Sequence, residues 1–147
     1  MIGRATNGRS YRLLRRNGGR HWIVLVVSTK GLSTREVYQN LPRKRPPVSL
    51  TKINRTVKLI AAFLKEKKYG RAAGLLQNDL ESSAFVLRPS LQQIIANISK
   101  QGIELVRMTG SGPTIFAVLF RLENVRRLAK ILRNQFPSKK IILCHTF

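Results

Sequence analysis

Acidic side chains are scarce in this chain. Glu36, Glu66, Asp79, Glu81, Glu104 and Glu123 are the entire supply, against 28 lysines and arginines. These carboxylates are too few for most acid–base schemes. Asp79 and Glu81 sit close together in "NDLES", but near neighbours in a short helix do not face each other. Both read as solvent-exposed capping residues, with a lone base or magnesium ligand as the sharper alternative. Cys144 is the single cysteine, which excludes an internal disulfide framework and any multi-cysteine zinc site. It suits a reducing, cytoplasmic setting and reads as a buried thiol. His21 and His145 stand at opposite ends of the chain with no evident nucleophile or carboxylate partner, so no catalytic set can be assembled. The longest apolar runs, residues 23–27 and 115–120, are far too short to span a bilayer. The first residues also lack the apolar stretch of a signal peptide.

What the chain has instead is positive charge. Its formal net charge is +22, and a field of that size attracts polyanions: nucleic acid, nucleotides, phosphorylated metabolites or an anionic membrane surface. Local runs at 12–20, 43–45 and 65–71 spread the charge along the sequence, as ordinary solvated faces also do. At 43% apolar residues, 147 residues are enough for one domain with its own core.

The pattern predicts a four-stranded α+β fold. "HWIVLVVS" is a β-branched apolar run and reads as a buried strand with Trp22 in the core. "STREVYQNL" reads as a short helix with Ser33 as N-cap and Glu36 three residues on. "PRKRPPVS" is a loop, because its three prolines exclude helix and central strand. Ile53, Val57, Ile60, Phe63 and Leu64 then recur at helical intervals as one buried face. Residues 69–77 form a further short helix. Pro89 opens another and Gly102 stops it. "IELVRM" and "TIFAVLF" are strands joined by a glycine turn, with Phe116 as a core residue. "LENVRRLAKILRNQF" is a helix, and "KKIILCHTF" a last strand. This order is a ferredoxin-like split βαβ: a mainly antiparallel sheet, helices on one face, and extra helices in the first crossover.

The turn "TGSGPT" carries Thr109, Gly110, Ser111, Gly112 and Thr114. Its glycines are what a tight hairpin connection needs, and they also let backbone amides open toward an anion. It lacks the Gly-Lys-Ser/Thr ending of a P-loop.

Taken together, "GLSTREVYQNL", "NDLES" and "RMTGSGPTIFAVLF" resemble, in the same order, the C-terminal half of the GHMP small-molecule kinases that act on 4-diphosphocytidyl-2-C-methyl-D-erythritol. The resemblance runs from about Arg9 to the end. It implies an ATP- and magnesium-dependent phosphoryl transfer to the 2-hydroxyl of that substrate, in isoprenoid precursor synthesis. It also implies that the ATP loop, the catalytic aspartate and the substrate lysine belong to an N-terminal domain with no counterpart here, in trans if it exists. Residues 1–20 then read as a remnant of the interdomain junction, with "GRSY" in place of a Gly-Arg-Gly-Glu stretch, and 21–147 as the C-terminal domain. Thr34 and Tyr38 would line the cytidine-diphosphate pocket, with Tyr38 stacking on the ring. Residues 109–114 would face the phosphates. The isolated chain is expected to be inactive. A basic RNA-binding module on the same sheet is the contrasting expectation, with Phe116 and Phe120 as its aromatics.

Overall fold

The computed structural model describes residues 20–41 and 49–146. All but Arg20 of the expected junction, and residues 42–48 of the proline loop, lie outside that range. The elements run β1 (Trp22–Ser28), α1 (Thr34–Gln39), α2 (Leu50–Lys65), α3 (Tyr69–Leu75), α4 (Glu81–Leu87), α5 (Pro89–Lys100), β2 (Leu105–Met108), β3 (Ile115–Leu119), α6 (Leu122–Gln135) and β4 (Lys139–His145).

Local chemistry sets several boundaries. Ser33 Oγ accepts from the Glu36 amide and Ser49 Oγ from the Lys52 amide, each at 3.3 Å, so both N-caps satisfy a donor the helix leaves open. Pro89 occupies the first turn of α5, where its missing N–H costs nothing. Gly102, at φ +79°, takes the left-handed conformation just past that helix.

The strands form one sheet in the order β2-β3-β1-β4, and every neighbouring pair is antiparallel. β3 therefore sits between β1 and β2, the two strands that the first crossover connects, as a split βαβ requires. Trp22, Val24 and Val26 of β1 pair with Leu119, Ala117 and Ile115 and share one face. On that face Val24, Val26, Val106, Met108, Ile115 and Ala117 pack against Leu91, Ile94 and Ile98 of α5 and Val125, Leu128 and Leu132 of α6.

The two crossover helices α5 and α6 thus cover a single face, as the pattern predicts. The extra helices go further than the sequence reading placed them. Ala72 and Ala73 of α3, with Ile60, Phe63 and Leu64 of α2, meet Leu105, Phe116 and Val118, which alternate to the opposite side of β2 and β3. Arg107 points to the same side and donates to the main-chain oxygens of Leu76 and Ala73 at 3.3 and 3.0 Å. Only the second half of the predicted α2 stripe is used. Ile53 is 42% exposed and Leu50 70%, because α3 and the sheet meet the helix only from Ile60 onward. Trp22 and Cys144 are half-buried rather than fully interior. Cys144 points to the outer face, where its thiol lies 3.8 Å from the Ile23 carbonyl.

His21 is almost completely buried. Its Nδ1 lies 3.1 Å from the Tyr69 hydroxyl, and the two rings meet edge-on. Burial pushes the Tyr69 phenol above its usual value of 10.0, because the phenolate would lose solvation.

These contacts generate two predictions. Ile98→Ala should cost about 2–5 kcal/mol, whereas Ile53→Ser on the open half of α2 should stay within about 0.5 kcal/mol; urea unfolding midpoints measure both. The raised Tyr69 pKa stabilises the fold fully below pH 10 and is lost as pH rises through the folded value, since the unfolded chain then holds fewer protons. Tyr69→Phe should therefore show a shallower loss of stability above pH 10 than the parent chain. Superimposed alkaline melting curves would show that Tyr69 is not the group responsible.

Candidate functional site at one end of the sheet

The β2–β3 connection lies at the end of the sheet where β1 also finishes, since Val26 and Met108 both pair with Ile115. Its backbone turns back on itself: the Thr109 amide donates to the Thr114 carbonyl at 2.8 Å and the Gly112 amide to the Thr109 carbonyl at 3.0 Å. Gly110 and Gly112 have φ of +52° and +82°, and both use the freedom glycine alone has cheaply. Gly112 is also crowded, because an added Cβ would stand 2.9 Å from Met108 Sδ and the buried Met108 side chain would have to shift. The amides of Gly110 and Ser111 have no partner among the described residues, which leaves two donors for an anion.

Three side chains from α4 and its flanks hold this turn and the neighbouring connection. Asn78 donates from one amide nitrogen to two carbonyls, Met108 at 3.0 Å and Gly110 at 2.9 Å. Its oxygen accepts from the Leu80 amide at 3.1 Å, an Asx turn that fixes the side chain. Glu81 accepts from the Met108 amide at 2.8 Å. Arg88 donates to the carbonyls of Lys30 and Gly31 at 2.7 and 2.6 Å, which pins the link from β1 to α1.

The sequence reading of Glu81 as a solvent-exposed cap is therefore corrected. Its carboxylate is tied to the end of β2, where a main-chain donor would otherwise lack a partner. Asn78 and Arg88 were missed altogether. The one local signal for Asn78 was its place directly before a helix, and its partners lie some thirty positions away.

Thr34 and Ser111, 77 residues apart, are brought together: their hydroxyls are 3.0 Å apart. Tyr38 is one turn beyond Thr34 on α1 and is 47% exposed, so its ring faces solvent on the Thr34 side of the helix. Val37, between them in sequence, is buried and anchors the helix. Thr109, Gly110, Ser111, Gly112 and Thr114 are all partly accessible. The predicted residues thus form one surface, with an aromatic ring at one end and open amides and hydroxyls at the other. Among the described residues no three acidic, histidine or cysteine side chains gather as a metal would require. Of the two aromatics in the RNA-binding expectation, Phe116 is partly buried and Phe120 is 38% exposed. Phe116 lies beneath α2 and α3, and Phe120, beyond the end of β3, carries the Lys67 ammonium 3.5 Å from its ring centre.

Comparison with known proteins places this architecture. The family model described as GHMP kinases C terminal matches residues 59–138. A 4-diphosphocytidyl-2-C-methyl-D-erythritol kinase of Bacillus velezensis is 34% identical over 114 residues, which is 76% of this chain and 37% of the relative. The kinase of that name from Corynebacterium efficiens is 33% identical over 118 residues, 80% of this chain and 36% of its own length. This chain accordingly spans less than two-fifths of these relatives. Among solved structures, a 4-(cytidine 5'-diphospho)-2C-methyl-D-erythritol kinase superposes with a TM-score of 0.67 at 22% identity, over 86% of this chain and 42% of the other. A homoserine kinase from Cytophaga hutchinsonii does so at 0.63 with 16% identity, over 86% and 41%; at such identities the likeness is one of fold. A family match over more than half of its residues, on the split βαβ sheet that these neighbours share, makes the chain a member of the GHMP kinase C-terminal family.

Proposed function

We propose that this chain supplies the C-terminal part of an ATP-dependent kinase that phosphorylates the 2-hydroxyl of 4-diphosphocytidyl-2-C-methyl-D-erythritol, in isoprenoid precursor synthesis. The observation that carries the reading is the Thr34–Ser111 contact at 3.0 Å. It joins the helix expected to line a cytidine pocket to the turn expected to face phosphates.

Each part has a chemical task in this reading. Tyr38 offers a flat face for a pyrimidine ring. The free amides of Gly110 and Ser111, with the Ser111 and Thr34 hydroxyls, suit a phosphate oxygen, since fixed donors bind anions without reorganising. When bound, ATP with its magnesium supplies the phosphoryl group. These residues would only hold a phosphate and exclude water beside it. Phosphoryl transfer needs nucleotide, metal and alcohol positioned together, and one turn with six sparse carboxylates does not assemble them. The chain on its own is therefore a half-site that binds and does not turn over. An N-terminal kinase domain, in the same chain or in trans, would complete it.

Calorimetric titration of the purified chain with CTP tests this. Saturable binding is expected, weakened at least about tenfold by Tyr38→Ala, the loss of about one stacking contact. A folded chain with no CTP binding, or with binding indifferent to Tyr38, overturns the pocket. Turnover of substrate and ATP by the purified chain would overturn the half-site reading. Asn78→Asp, which replaces two donated hydrogen bonds by repulsion from two carbonyls, should lower stability by about 1–3 kcal/mol. An unchanged urea midpoint would mean that the turn does not depend on this side chain.

A further inference from the structure

The kinase reading leaves most of the charge without a task. Anionic ligands of one small site need a few positive groups, and the chain carries a net +22. Helix α6 concentrates part of that excess on one surface. Its apolar residues Val125, Leu128, Ala129 and Leu132 are all buried. Arg126, Arg127, Lys130 and Arg133 are all exposed. Residues three, four and seven apart share a helix face, so Arg126, Lys130 and Arg133 stand in one row with Arg127 beside it. None of the four has a carboxylate partner among the described residues, since Glu123, the one acidic residue of the helix, pairs with Arg121. Like charges at such spacings repel and weaken a helix, so an anion spanning the row would relieve that repulsion.

The composition of the surface selects the anion. Every exposed residue of α6 is charged or an amide, and none is apolar. A helix that lies on a membrane inserts apolar or aromatic side chains. A protein interface centres on buried aromatic or aliphatic anchors. Neither is present. Single-stranded nucleic acid is gripped by aromatics on which bases stack, and α6 exposes none. What remains is a polymer read through its phosphates alone. Arg126 and Arg133 are about 10 Å apart along the axis at 1.5 Å per residue. A B-form major groove about 12 Å wide admits an α-helix between its phosphate walls, whereas the A-form groove is too narrow and deep for such an element.

We propose that the exposed face of α6 docks in the major groove of double-stranded DNA. Its four cations bind the flanking phosphates, without reading bases.

Fluorescence anisotropy of the full chain with a short labelled DNA duplex, across a salt series, tests the proposal. Each phosphate contact adds about 0.9 to the slope of log K against log salt. Arg126→Gln, Arg127→Gln, Lys130→Gln and Arg133→Gln combined should therefore make the slope about three to four units shallower. Replacing the three arginines by lysine should leave it unchanged, and melting curves of both variants verify the fold. The matched control removes the same charge from α2: Lys52→Gln, Arg55→Gln, Lys58→Gln and Lys65→Gln, all exposed. That control should keep the parent slope, and the duplex sequence should not matter. Equal losses in the α6 and α2 variants would mean bulk attraction only and overturn the proposal. Absence of DNA binding would do so too. Binding to polyglutamate or to phosphatidylserine vesicles that disappears with the α6 variant would assign the face to an acidic protein or a membrane instead, and equally overturn it.

Discussion

Main-chain polar groups at the open end of the sheet must find partners, and the site depends on how they do. β2 is an edge strand, so the ladder leaves the Met108 amide and carbonyl open on its outer side, and the carbonyls of Lys30, Gly31 and Gly110 lie beyond the strands. A buried group left alone would cost about 1–3 kcal/mol, a penalty that bears on the part-buried Met108 and Gly110 groups and not on the exposed Lys30 and Gly31. Asn78, Glu81 and Arg88 take all five. All three come from one stretch around α4, which α5 locks to the core through Leu91, Ile94 and Ile98. The positions of the glycine turn and of α1 are therefore set by the same packing that holds the sheet.

That arrangement explains why the turn can present amides outward. Its carbonyls at Met108 and Gly110 are held inward by Asn78, and its sharp reversal is closed by the Thr109–Thr114 bond. Left-handed glycines at 110 and 112 then leave the Gly110 and Ser111 donors free. At 112 the positive φ favours glycine, and a Cβ there would force the buried Met108 side chain to shift. Thr34, at the start of α1, reaches Ser111 because Arg88 pins the chain just before it. Rigidity is inherited from the scaffold, which is what a site of fixed donors requires.

The sequence disclosed the elements better than their partners. Runs such as "TIFAVLF" and the spacing of Val125, Leu128 and Leu132 mark strand and helix because burial imposes a period on the chain itself. The strand order followed from the sequence of elements, given how split βαβ units close. Which half of the α2 stripe is covered did not follow. Ile53 and Ile60 look alike in periodicity, and only the location of α3 separates them. Glu81 was misjudged for a related reason: helix spacing says what lies beside it, whereas its partner is a strand end 27 residues away. Thr34, Tyr38 and the turn at 109–114 were named through resemblance to a kinase family. Residue spacing alone left the turn an ordinary hairpin connection. The Thr34–Ser111 contact spans 77 residues, a separation no local pattern encodes.

The scarcity of acid and the excess of base belong to the same economy. Glu81 and Glu104 spend their carboxylates on main-chain amides, at Met108 and Gly70. Glu66 and Glu123 are held by cations within a few residues, Lys68 and Arg121. Those four leave little negative charge to neutralise a distant basic face. The α6 row is therefore unbalanced within the described residues, and its field reaches outward at moderate salt, over a screening length of about 8–10 Å. The turn and the α6 face differ in kind as anion sites. At the turn, on the function proposed above, two amides and two hydroxyls would hold one phosphate. Along α6, flexible side chains define a line of charge. A small ligand that fits the first would not span the second, so the two proposals call for different anions.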